Sequence, residues 1–141
     1  MGHIRGLAPK LPLSLNDADG YTLIKTYKEM VAQNLKMLVL TVPGERIMDP
    51  VFGVGIKRYL FEMNIAATHG AISSKIHEQV NRYLPFIEIE DIIFITSETH
   101  PELGDNYLHI RIEYRIIPLD QVDLLDLDLA ALELIRDAEC A

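Results

Sequence analysis

Apolar and polar positions along the chain follow a helical period first and a twofold period later. Tyr27, Met30, Val31, Leu35, Leu38 and Val42 recur at three- and four-residue steps, which is one face of a helix. Thr26 and Glu29 have capping-box spacing, where hydroxyl and carboxylate satisfy amides that the first turn leaves orphaned. A helix is therefore predicted from about Thr26 into the Pro43-Gly44 turn. Ile72, Ile76, Val80 and Leu84 predict a second long helix from about Ala66 to Tyr83. Gly70 weakens its first turn by up to ~1 kcal/mol relative to alanine, and Pro85 ends it. Between the two, Ile56 to Phe61 suits a turn and a half of helix with Lys57 and Arg58 outward.

The period then becomes two. Ile87 to Ser97 reads as a strand with Glu88 and Glu90 on one side and Ile87, Ile89, Ile93 and Ile95 on the other, though Ile92 and Phe94 make its later part apolar on both faces. Glu98 to Asn106, with Pro101, Gly104 and Asp105, is a loop. In Tyr107 to Ile117, Leu108, Ile110, Ile112, Tyr114 and Ile116 face one way and His109, Arg111, Glu113 and Arg115 the other. That alternation predicts a half-buried strand antiparallel to the previous one. Two strands alone are marginal and leave an open edge. A third strand could come from residues 4–15, from the C-terminal tail, or from another chain.

The flanks differ in character. Residues 1–20 read as an N-terminal arm: Pro9, Pro12, Asn16, Asp17, Asp19 and Gly20 break any period, while Leu7, Leu11, Leu13 and Leu15 suit one extended segment. Such an arm is either a loose terminus or pinned on the domain or a neighbour. The tail, 119–141, carries seven acidic residues against Arg136 alone, or −6 of the net −8. Its leucines alternate over Leu124–Leu129, while Leu125, Leu129, Leu132 and Ile135 also suit a short amphipathic helix. That segment could return over its own core or dock on a partner. The fold class expected is α+β: two main helices packed on a small antiparallel sheet built around a C-terminal hairpin. One domain, 21–118, lies between arm and tail.

Thr41 to Glu62 stands apart. Pro43-Gly44 and Asp49-Pro50 are close turn signals, and Gly53 and Gly55 follow, so the backbone should reverse more than once. Ile47, Met48, Val51, Phe52, Val54 and Ile56 fill the gaps, which is unusual for a solvent loop and suits one pressed on a core or a partner.

Composition narrows the function classes. The net charge of −8 supplies no basic surplus to displace counterions from a nucleic-acid backbone. Cys140 is the single cysteine, so no intramolecular disulfide framework exists, in keeping with a reducing compartment. The sequence shows no secretory h-region and no apolar run of membrane-spanning length, so no membrane contact is expected.

The run P-G-E-R-I-M-D-P-V-F-G-V-G-I, followed by Y-L-F-E, resembles the signature of the phage baseplate wedge and sheath-initiator family, also called baseplate assembly protein W-like and found in type VI secretion baseplates. The likeness is close over Leu35–Glu62 and looser to about Pro118. It implies a structural subunit of a contractile tail baseplate, assembled in the host cytoplasm, that templates the first sheath ring. It implies tail sheath protein and baseplate wedge proteins as partners, with the tail tube or hub as a further contact, and six copies in a ring. Pro43, Gly44, Glu45, Arg46, Pro50, Phe52, Gly53 and Gly55 would form a rigid scaffold loop, with Glu45 and Arg46 paired to each other or to backbone groups. The strand bearing Tyr107, His109, Arg111, Glu113 and Arg115 would offer the sheet on which sheath arms add. Many relatives carry Glu-Pro-Arg where this chain has Leu84-Pro85-Phe86, so a contact made there by Glu and Arg would have to be apolar or lie elsewhere.

Catalytic and cofactor motifs fall short, and no cofactor or metal is expected. His77-Glu78 begins the zinc-protease pattern, but Asn81 stands where its second histidine belongs. Asp120, Asp123, Asp126 and Asp128 lack the glycine and terminal glutamate of a calcium loop. Gly53-Val54-Gly55 has neither the third glycine of a dinucleotide fingerprint nor the lysine of a phosphate loop. Cys140 has no neighbour to lower its pKa. Some family members are described as lysozyme-like, and Glu45 and Glu62 are the only carboxylate candidates in the signature for such a glycosidase. The absence of tryptophan weighs against a sugar cleft.

Overall fold

A computed structural model describes residues 6–18, 20–101 and 107–129. It is mixed α+β and divides into two units, Met1–Met37 and Leu38–Ala141.

In the first unit the chain from Ala8 to Ile24 folds on itself rather than extending. Strands β1 (Ala8–Pro9) and β4 (Leu23–Ile24) pair antiparallel, as do β2 (Leu15–Asn16) and β3 (Gly20–Tyr21). Gly20, at φ 80°, supplies the left-handed residue that closes the turn. The segment sequence reading leaves as an arm to residue 20 thus continues as a hairpin to Ile24. Helix α1 (Tyr27–Leu40) follows, and the Thr26 hydroxyl accepts the Glu29 amide at 3.4 Å. From α1, Gln33 reaches the hairpin, accepting from Leu11 N at 3.0 Å and donating to Pro9 O at 3.1 Å. One side-chain amide thereby satisfies two backbone groups of an irregular stretch.

In the second unit the end of α1 leads through the signature loop into a short helix, α2 (Ile56–Tyr59), and then α3 (Ala66–Tyr83). Strands β5 (Ile87–Thr96), β6 (Leu108–Ile116) and β7 (Gln121–Asp128) form an antiparallel sheet in that order. The tail supplies β7, so the alternating reading of its leucines prevails over 121–128. Residues 130–141, where the helical reading of the tail continues and Cys140 lies, are outside the described residues. A turn of 3-10 helix at Ile117–Leu119 and Asp120 at φ 47° reverse the chain between β6 and β7.

The core follows both periods. Leu38, Val39, Val54, Ile56, Ile72, Ile76, Val80, Ile110, Ile112, Tyr114, Ile116 and Leu127 are buried. At ~1.5–3 kcal/mol per buried aliphatic side chain, this face is the main stabilising term of the unit. One expectation is overturned here. Ile93 and Ile95 pair with Arg111 and His109 on the outer face, whereas Ile92 and Phe94 pair with the buried Ile112 and Ile110. A register shift between Ile89 and Asp91 leaves Glu90 as an extra residue. Such a bulge inverts the alternation beyond it.

Candidate functional site

The signature loop is a C-terminal cap for α1. A helix ends with carbonyls that have no partner, and here the loop provides the missing donors. Val54 N donates to Leu38 O at 3.1 Å and Gly55 N to Thr41 O at 2.9 Å. That approach requires glycine: a Cβ on Gly53 would lie 2.1 Å from Thr41 O, and Gly53 sits at φ 112°. Gly55 (φ 69°) meets Pro43 Cδ in the same way at 2.8 Å and starts α2. Gly44 also has a positive φ of 98° but faces open space.

Polar groups lock the turn. Glu45 uses its backbone alternative, its Oε2 accepting Val42 N at 3.0 Å. Among the described residues Arg46 pairs with neither carboxylate nor backbone; its guanidinium lies 3.7 Å from the Phe52 ring centroid. Phe52 meets Tyr83 edge-on at 4.8 Å, and Tyr83 Oη donates to Asp49 Oδ2 at 2.7 Å. That bond to Asp49 holds the Tyr83 hydroxyl above the usual phenol range. Arg58 Nη2 donates to Pro43 O at 3.3 Å, placing a cation at the negative end of α1. Pro50 is exposed at the Asp49-Pro50 turn. One residue that sequence reading missed completes the set: the buried Gln79 on α3 accepts Gly53 N at 3.0 Å. Its signal was a polar residue three positions after Ile76, inside the apolar stripe of that helix.

The second set of anticipated residues lies on the outer face of the sheet. Asp126 of β7 accepts from His109 Nε2 at 3.1 Å and Arg111 Nε at 2.8 Å. The Arg111 bond is the largest influence holding the Asp126 carboxyl below its usual range. Arg115 pairs with Glu90 of β5, Tyr107 Oη donates to Asp128 Oδ2 at 3.4 Å, and Glu113 lies opposite Asp91 and Leu124. On the inner face the buried Tyr114 hydroxyl donates to Asp123 at 3.0 Å, and burial raises its pKa. The strand that carries these residues is therefore central, paired with β5 on one side and β7 on the other. Its main chain is occupied while β7 stays in place.

The junction that departs from the family turns inward. Leu84 is buried and its amide donates to Val80 O at 2.8 Å, closing α3. His77 is exposed on α3, whereas His69 stacks on Phe94 at 4.6 Å and bonds Asn64 Oδ1 at 2.6 Å. A groove of about 400 Å³ is lined by Tyr59, Phe61, Glu62, Met63, His69 and Leu108 among others. Glu62 is its one carboxylate among the described residues; Glu45, on the Val42 turn, is not among those lining it. Among the described residues no three His, Cys, Asp or Glu converge as a metal would require, and no helix is long and apolar enough to cross a membrane.

Comparison with known proteins gives the same frame to both sets of residues. A protein of Geobacter sulfurreducens, provisionally described as a tail lysozyme, superposes with a TM-score of 0.60 at 25% identity, covering 77% of this chain and 96% of its own. The baseplate of the anti-feeding prophage, seen by cryo-electron microscopy with sixfold symmetry imposed, contains a chain that superposes with a TM-score of 0.66 at 25% identity, covering 78% and 84%. No curated protein matches significantly. The model of the family described as baseplate wedge protein gp25 matches residues 25–119, from the start of α1 through the signature loop to the end of β6, and the chain belongs to that family.

Proposed function

We propose that this chain, a structural component of the tail baseplate, joins the wedge and templates the first ring of sheath subunits by strand addition. The observation that carries the reading is the outer edge of β7, which pairs with no further strand among the described residues. Of the two sheet edges, β5 is the poorer template. It is broken by the bulge at Glu90, a device that discourages edge pairing. β7 runs regularly for eight residues without proline or lysine and exposes Val122 and Leu124. A sheath arm laid beside it would gain main-chain hydrogen bonds, while side chains at alternate positions set its register. Tyr107, His109, Arg111, Glu113 and Arg115 then shape the face beside the added strand instead of pairing with it. The anti-feeding prophage relative, a baseplate chain, supports the setting; wedge and sheath subunits and the tube or hub are the proposed neighbours, with six copies in a ring.

Proline scanning tests the mechanism, because proline removes a ladder donor and clashes with a paired neighbour. Single prolines at Val122, Asp123 and Leu124 sample both amide directions of β7, and Glu88, Glu90 and Thr96 sample β5. Variants that keep the wild-type melting temperature are added to baseplates lacking the chain and viewed by electron microscopy. Folded β7 variants are expected to give complete baseplates without sheath, whereas Arg111→Ala weakens sheath recruitment only mildly. Full-length sheaths on every folded proline variant would sink strand addition.

A further inference from the structure

Cations in the second unit divide into two groups. Lys75, Arg111 and Arg115 are in ion pairs with Glu78, Asp126 and Glu90. Arg46, Lys57, Arg58 and Arg82 are in no ion pair among the described residues, and all four belong to the signature loop or its supports. Arg46 lies over Phe52, Phe52 touches Tyr83, and Arg82 lies 5.4 Å over the Tyr83 ring. Arg58 is fixed on Pro43 O, and Lys57 precedes it on α2. The carboxylates of the loop are occupied, Glu45 by Val42 N and Asp49 by Tyr83 and Val51 N. In a chain of net charge −8, Arg46 and Arg82, flanking the Phe52–Tyr83 pair with no ion pair among the described residues, mark a local surface of opposite sign.

At the tip of the same loop Ile47 is 95% exposed and Met48 97%, with Val51 also open. Single exposed apolar side chains are ordinary; three in one turn rimmed by unpaired cations have the make-up of a recognition patch, an apolar centre within a charged rim. The loop tip forms no strand, and the backbone beside it has little to offer a partner. The amides of Glu45, Val51, Phe52, Gly53, Val54 and Gly55 are all spent inside the chain. An added strand has no ladder to join here, so recognition must run through side chains, as when an amphipathic helix lays one face on a surface.

We infer that the loop tip docks an acidic amphipathic helix of a neighbouring baseplate subunit. Its leucine- or isoleucine-type row lies against Ile47, Met48 and Val51, and its flanking aspartates or glutamates meet Arg46, Arg82 and Arg58. Arginine suits the rim, since a guanidinium stacked on an aromatic face still presents its N–H edge to a carboxylate. The inference rests on the baseplate reading but not on strand addition.

A photo-crosslinking amino acid at Met48 tests it in assembled baseplates, and that side chain is exposed enough to be replaced without disturbing the fold. The expected cross-link joins another baseplate subunit at a segment of net negative charge with apolar residues three and four apart. Arg46→Glu should lower its yield at least tenfold and Met48→Asp should reduce incorporation similarly, while Lys75→Glu, in a cation already paired, leaves the yield unchanged. Cross-links to sheath, to a second copy of this chain, or to a neutral or basic segment would overturn the inference. So would particles that contain the chain and give no cross-link. Whether the chain is present in the particle is read on the same gel, so failure of the baseplate reading is scored separately.

Discussion

At the scale of single residues, the signature loop separates conformational strain from close approach. Gly44 and Gly53 both lie at positive φ, but a Cβ on Gly44 meets open space while one on Gly53 meets a backbone carbonyl. Gly44→Ala should therefore cost only the strain of the left-handed region, ~1 kcal/mol. Gly53→Ala adds a clash that no side-chain rotation relieves. It also displaces the amides that cap α1, so a loss well above ~2 kcal/mol is expected, and Gly53→Val should fail to fold. Thermal melts of the two alanine variants check this, and equal melting temperatures would contradict the cap. The glycines and prolines were readable because their conformational demands are local. Gln79 was not, because its role depends on a loop 26 residues away. The orientation of Arg46 over Phe52 depends likewise on Tyr83, which buttresses that ring from α3.

At the scale of elements, both long helices and both hairpin strands follow from periodicity, since burial on one face imposes the period directly. What periodicity cannot carry is parity across a bulge: Ile92 and Ile93 are both apolar, and only pairing with Ile112 and Arg111 decides which one faces the core. The tail was ambiguous because L-L-D-L-D-L meets a twofold period while its leucines also meet a helical one. Pairing with β6 settles it for 121–128, where Leu125 and Leu127 continue the buried face of Ile112 and Ile110. The β6–β7 contact is tied by Asp126, whose pKa is lowered chiefly by Arg111 with help from His109. A lowered carboxylate contributes stability above its unfolded pKa, near ~3.9, and loses it as pH falls through the folded value. Asp126→Asn should remove that contribution at neutral pH, by a small amount because the group is exposed. The difference in melting temperature between wild type and variant should shrink as pH drops below ~4. A difference that stays constant with pH would show that the carboxylate charge is not what ties the strands.

At the scale of the whole molecule, the question is whether such a fold also performs chemistry, since one structural relative is provisionally described as a tail lysozyme. Glycoside hydrolysis requires two carboxylates across a sugar cleft, ~5–10 Å apart, one of them protonated at working pH. Glu45 is an acceptor for a backbone amide at the α1 cap. Glu62 is exposed in a groove where, among the described residues, no second carboxylate lines the wall. The two candidates thus serve different places, one at the α1 cap and one in the groove. Phe52 and Tyr83 are committed to the loop, Phe94 to His69 and Tyr114 to the core, which leaves Tyr59 and Phe61 as the aromatic side chains lining the groove. The purified chain is therefore expected to leave a peptidoglycan suspension at its blank turbidity. Glu45→Gln and Glu62→Gln should be indistinguishable from wild type in that assay. Clearing by the wild-type chain that disappears in either variant would make the protein an enzyme as well as a wedge component; loss in Glu62→Gln would place its acid in the groove beside Phe61 and Met63, and loss in Glu45→Gln would place it at the α1 cap.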